Sequence, residues 1–198
     1  MTPPFRYPAS PLTRRHAPLG YDRAASYRPW LRDEFTFRCV FCLVRERWIQ
    51  TGLEVEHFEP VSRVPERATT YENLLYACRS CNGMKADQKI PDPCEVLVQG
   101  EITLGENGFL RAATNRARKI IQALGLNTRK LREYRKMWIQ VIALAENHDP
   151  TLYRQSMAYP DLLPDLDRLR PPGGNGKPEG IALSNFARHG RGELPATY

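Results

Sequence analysis

Between residues 111 and 126, apolar side chains return every three or four positions. Ala113, Ala117, Ile120, Ile121 and Leu124 fall on one stripe, which predicts an amphipathic helix ended by Gly125. Asn127 or Thr128 then caps a second helix, "RKLREYRKMWIQVIALAEN". Its narrow apolar face is Leu131, Tyr134, Trp138, Val141, Ile142 and Ala145. Nearer the start, "SYRPWLRDEF" predicts a short helix. Ser26 is its expected cap, Pro29 suits its first turn, and Trp30, Leu31 and Phe35 share a face. "LEVEHFEP" at 53–60 alternates apolar and acidic residues at Leu53, Glu54, Val55 and Glu56. That is strand spacing, broken by Pro60. "VSRVPERATTYENL" has no period and reads as a long loop, a kind of segment that often carries function. After Cys81, "NGMKADQK" begins a short helix that Gly83 weakens.

These patterns divide the chain. Residues 1–26, rich in Pro and Arg, read as an extended basic arm ordered on a partner. Residues 27–95 form a core that holds four of the cysteines in pairs, and 96–150 a helical extension. Residues 151–198 are expected to be loosely ordered, with leucines in "PDLLPDLDRL" that can dock and a flexible "RPPGGNGKPEG".

Charge adds a partner class. The formal net charge is +7. It is clustered: residues 1–32 carry six arginines against Asp22, and residues 111–140 carry nine basic side chains against Glu133. Such a balance favours a polyanion. On the second long helix, Arg129, Lys130, Arg132 and Lys136 lie away from the apolar face. That surface is either simply solvated or a phosphate-binding face. No run of eighteen apolar residues exists, so no membrane span is expected. The first twenty residues lack the apolar core of a secretion signal, which places the protein in the cytoplasm as an expectation.

The five cysteines carry the strongest chemistry. Cys39 and Cys42 make one Cys-x-x-Cys corner, and Cys78 and Cys81 a second. Four thiolates suit tetrahedral zinc, with a redox dithiol or an iron–sulfur cluster as alternatives. Zinc here closes a 35-residue loop, a cross-link available in a reducing compartment where a disulfide is not. Cys94 has no evident partner and reads as a buried structural thiol.

Inside that loop lie Glu56, His57, Pro60 and Asn73, and Asn82 follows its closing corner. "EHFEP", "ENLLYAC" and "CNGMK", flanked by the cysteine pairs, resemble the HNH endonucleases over residues 37–89. The resemblance implies an α+β fold: a ββα-metal core with structural zinc, followed by helices. It departs from the common pattern at two places, with Glu56 in place of an Asp and Asn82 in place of a His. It implies phosphodiester hydrolysis with His57 as general base, Asn73 as the residue that holds the loop and so orients His57, and a catalytic Mg²⁺ or Mn²⁺ held by Glu56 and Asn82. Arg79 and Lys85 are then candidate phosphate contacts. More weakly, "DPCE" followed by a helix ending in "LGLN" resembles HNH proteins of retron- and Septu-type antiviral systems, which implies a protein partner such as an ATPase. The expected target is DNA ahead of RNA. No Gly-rich phosphate loop is present, so the chain itself is not expected to bind ATP. The competing readings are a non-catalytic zinc-ribbon protein that binds nucleic acid and a module that assembles into a larger complex.

Overall fold

A computed structural model describes residues 3–198. At its centre, β1 (Glu54–His57) pairs antiparallel with β2 (Leu74–Ala77), Glu54 opposite Ala77 and His57 opposite Leu74. Helix α2 (Arg79–Lys85) follows β2 after one residue, Cys78. This is the expected ββα unit. β2 is buried along its whole length, which explains its continuous apolar "LLYA" in place of an alternation. The 58–73 excursion contains only 3₁₀ turns, at Pro65–Arg67 and Tyr71–Asn73.

Ahead of the unit, α1 (Arg28–Glu34) carries Pro29 in its first turn and buries Trp30 and Leu31 completely. Tyr27, not Ser26, occupies its cap position, and no side chain caps the helix there. Between α1 and β1 the chain makes the first cysteine corner, flanked by a bridge between Arg38 and Arg45. Leu43 adopts a positive φ of 60°, and the turn is closed by Leu43 N–H to the Cys39 carbonyl and Cys39 N–H to the Val44 carbonyl.

A short α3 (Pro93–Val96) leads to a hairpin the sequence pattern did not announce, β3 (Ile102–Leu104) with β4 (Leu110–Ala112). Its turn presses on the long helix: a Cβ at Gly108 would lie 2.3 Å from the Arg132 carbonyl oxygen, so only glycine fits. Helix α4 (Asn115–Ala123) starts two residues beyond Ala113, capped by Thr114, and Gly125 leaves it at φ +55°. It buries Ala117, Ile120 and Ile121 as the stripe predicts. Helix α5 (Arg129–His148) turns Ile142 and Ala145 fully inward and packs Leu131, Tyr134 and Trp138 against the core. Val141 is exposed instead, in line with Met137 and Leu144, and Arg135 takes an interior position.

Two expectations of loose structure are corrected. Residues 3–23 of the arm lie against the core through Phe5, Tyr7, His16 and Ala17; residues 1 and 2 of that predicted arm lie outside the described residues. Beyond residue 150 the chain forms α6 (Pro150–Met157), α7 (Pro178–Ala182) and α8 (Asn185–Gly190), and buries Met157, Leu166 and Tyr198. The physical reason is a polar knot that spans distant segments. Asp33 accepts from His16 Nε2 at 2.8 Å and from the Asn185 amide N–H at 2.7 Å. Glu34 accepts the N–H groups of Arg15 and His16 and the Tyr71 hydroxyl. Buried carboxylates need such partners. Residues remote in sequence supply them, and no local periodicity reports that.

Candidate active site and metal centre

The two cysteine corners meet. Cys39 and Cys42 come from the turn before β1; Cys78 caps α2 and Cys81 sits in its first turn. All four are buried, and their Sγ atoms lie within 4.8 Å of one another, with Cys42 and Cys78 at 3.7 Å. They stand as free thiols, not disulfides. Hydrogen bonds within the cluster hold the Cys78 thiol well below its ordinary range and push Cys42 and Cys81 well above theirs, as expected of thiols crowded around one point. Four soft donors in a closed, buried set fit structural zinc. Cys94 lies apart, and burial pushes its thiol up to about 12.

A labelling experiment separates the five thiols. Zinc-loaded protein treated with iodoacetamide at pH 8 is expected to take no label. Four thiols are bound to metal, and Cys94 has roughly one thiolate in ten thousand at that pH. After chelation, intact mass should show all five cysteines reacting, Cys94 included, since the fold that buries it depends on the metal.

Next to the cluster, β1 and α2 oppose two side chains each. Residues two apart on a strand share a face, as do residues three apart on a helix. Glu54 and Glu56 therefore meet Asn82 and Lys85. Asn82 Nδ2 donates to Glu54 Oε2 at 2.9 Å, and Lys85 Nζ donates to Glu56 Oε1 at 2.9 Å. Glu54 was the residue missed by sequence reasoning, although its alternation with Glu56 carried the signal. Because a carboxylate only accepts, it fixes the nitrogen of the Asn82 amide and leaves Oδ1 free for a cation.

Lys85 corrects an expectation. As a phosphate contact it should reach solvent, but its side chain is wholly buried and paired with Glu56. Burial raises the Glu56 carboxyl above the ordinary range, and the Lys85 ammonium opposes that shift without cancelling it. Removing one partner of a buried pair strands the other charge. Lys85→Met should therefore lower stability by about 3 kcal/mol or more, read from the urea midpoint without added magnesium. The sign with pH follows. A carboxyl with a raised folded-state pKa favours folding most at low pH and loses that contribution as pH rises through the raised value. The variant's deficit should shrink in acid as Glu56 takes up a proton.

His57 turns toward the loop. Its Nε2 lies 2.9 Å from the Ala68 carbonyl oxygen. A carbonyl only accepts, so Nε2 carries a proton, and in the neutral tautomer Nδ1 is the nitrogen with the lone pair. Asn73 braces that loop and is completely buried. Its Oδ1 accepts from the Glu59 amide at 2.8 Å, and its Nδ2 donates to the carbonyls of Glu59 at 3.1 Å and Arg67 at 3.2 Å. Arg67 immediately precedes Ala68, so the acceptor that orients His57 is tied down by Asn73. Glu54, Glu56 and His57 do not converge as the thiols do. An oxygen site here needs Asn82 together with water or substrate oxygens, which is how magnesium is commonly held.

Of the basic candidates, Arg79, Arg129, Lys130 and Lys136 are exposed. Arg132 is half-buried, its guanidinium 6.0 Å from the Phe109 ring centre. Arg79 and Lys130 border one cavity between α2 and α5; Arg129, Arg132 and Lys136 do not line it.

The residues from the first corner through α2 match a known family model, HNH endonuclease, over 39–88. This segment is an HNH domain. The HNH domain accounts for about a quarter of the chain. Over 48 residues the chain is 40% identical to Septu protein PtuB of Bacillus thuringiensis. That stretch is 24% of this chain and 19% of the relative, so the chain spans about a fifth of that protein's length. Among the described residues, no helix is long and apolar enough to cross a membrane.

Proposed function

We propose that the protein is a metal-dependent endonuclease that hydrolyses phosphodiester bonds in DNA. The observation that carries this reading is the clamp on His57, whose Nε2 is committed to the Ala68 carbonyl while Nδ1 keeps a lone pair, within the same ββα unit as Asn82. His57 acts as general base, taking a proton from the attacking water at Nδ1. Asn73 is a positioning residue, holding the loop that supplies the Ala68 carbonyl. Asn82 Oδ1 and a β1 carboxylate, Glu56 with Glu54 beside it, hold a divalent cation such as Mg²⁺ or Mn²⁺. When bound, that cation neutralises phosphate charge and steadies the leaving 3′-oxygen. Arg79 and the exposed basic residues of α5, Arg129, Lys130 and Lys136, neutralise flanking phosphates as charge partners. Zinc on Cys39, Cys42, Cys78 and Cys81 fixes the end of β2 and the start of α2. The likeness to a Septu protein supports a role in defence against invading nucleic acid, with a protein partner such as an ATPase. Cytoplasmic action is part of the same proposal.

Incubating the purified protein with supercoiled plasmid tests this reading. Nicked or linear DNA should appear with Mg²⁺ or Mn²⁺ and be absent without a divalent cation, and a labelled RNA in parallel should be cut more slowly. One observation favours a second reading, a non-catalytic zinc-ribbon binder: the Lys85 ammonium already fills one side of Glu56. That protein would retard DNA in a gel, with salt-sensitive affinity, and leave it uncut whichever cation is added.

A further inference from the structure

Helix α5 carries a positive charge into the interior. Arg135 is 2% exposed. Its Nε donates to the Gly108 carbonyl at 2.8 Å and its Nη2 to the Leu126 carbonyl at 2.5 Å, while Nη1 has no partner. Among the described residues it makes no ion pair with a carboxylate. Carbonyl oxygens solvate a cation but do not neutralise it, and a buried charge without a counter-charge is strongly destabilising. Arg45, equally buried, donates to the Tyr198 main-chain oxygen and lies over the rings of Trp48 at 5.2 Å and Tyr198 at 4.2 Å. Arg135 faces no such ring.

What Arg135 does share is a cavity of about 230 Å³ bounded by Cys42, Cys78 and Tyr134. Burial loosens the hold of its guanidinium on the proton; Tyr7, and then Cys42 and Cys81, act in the opposite sense. Four neutral thiols offer no charge. Four thiolates around one divalent ion leave a net double negative charge, in the region where the buried guanidinium has a free N–H. We propose that Arg135 is the counter-ion of the thiolate–zinc centre, so that α5 docks as part of the metal site and not merely beside it. This rests on the zinc reading of the four cysteines. It makes Arg135 a positioning residue for the ligands: its charge faces the thiolates across the shared cavity, while Nε and Nη2 tie α5 to the β3–β4 turn and to the Leu126 carbonyl.

The test compares zinc affinities. Metal content of the wild-type protein is measured first, because a chain purified without zinc overturns the zinc reading itself before any variant is compared. Free zinc is then titrated into reduced, metal-free protein, and refolding is followed by the fluorescence of Trp48 and Trp138, which stack at 4.2 Å across the α5 boundary. Arg135→Gln keeps donors for the carbonyls and removes the charge. Its zinc Kd should rise 10–100-fold, the usual cost of losing a partner outside the ligand shell. Arg135→Lys should lose less than tenfold. Ile142→Ala, a buried α5 residue, shows what weakened packing alone does: because refolding and zinc binding are linked, its Kd rises with its loss of stability, so the decisive comparison is Arg135→Lys, which keeps the charge in place. A variant that folds only at raised zinc still yields a midpoint. An Arg135→Gln protein that binds zinc as tightly as wild type, or an Arg135→Lys protein weakened as much as Arg135→Gln, would overturn the proposal.

Discussion

Replacing His57 by alanine is expected to slow plasmid cleavage by about 10²–10⁴-fold, the usual contribution of a general base. DNA affinity should stay within about twofold. The split follows from where the two functions reside. In the proposed mechanism the imidazole touches the attacking water through Nδ1, while phosphate affinity belongs to Arg79, Arg129, Lys130 and Lys136, which are exposed. Folding should survive the change, since His57 is only half-buried and water can reach the carbonyl it leaves. Single-turnover cleavage and gel retardation at one salt concentration read the two effects separately. Equal loss in both assays would make His57 a structural residue, and no loss in either would remove it from the chemistry.

Cys78→Ser should have the largest effect on stability. Cys78 is the single residue between β2 and α2, and its thiol is the one that its three neighbours hold at low pKa. Structural zinc sites contribute on the order of 10 kcal/mol to folding, comparable to the entire stability of an ordinary domain. The variant is therefore expected to purify without stoichiometric zinc and to lose its cooperative thermal transition. Chelating the wild-type protein should reproduce both results. Cleavage should vanish with them, because the corner that places Asn82 opposite Glu54 no longer exists. Cys94→Ser, by contrast, removes a thiol outside the cluster and should keep zinc and activity.

Sequence spacing carried the metal cluster and the ββα unit because both are local grammars. A Cys-x-x-Cys corner is a turn, and alternation at 53–56 is a strand. The same alternation held Glu54, yet its meeting with Asn82 depends on how α2 lies across β1, which spacing does not encode. Lys85 shows the same gap. A lysine after a cysteine corner reads as a surface cation, and only the i, i+3 face of α2 reveals that it points at Glu56. Arg135 sits among basic neighbours on α5 and is indistinguishable from them by type; its burial is set by the Gly108 turn and the Leu126 carbonyl. The hairpin at 102–112 has strands of three residues, too short for a period to appear. The segment at 151–198 is held by Asp33 and Arg45 across more than a hundred residues, and that at 3–23 by Asp33 and Glu34, contacts that composition reads as looseness.

The proposed function needs one zinc-stapled frame to hold a second, oxygen-lined cation site beside His57. Anomalous scattering from crystals grown with manganese tests it most directly, since data at the zinc and manganese edges distinguish the two metals. Zinc is expected among Cys39, Cys42, Cys78 and Cys81, and manganese against Asn82 Oδ1 and a carboxylate of β1. Manganese absent from that position, or thiols without zinc, would contradict it.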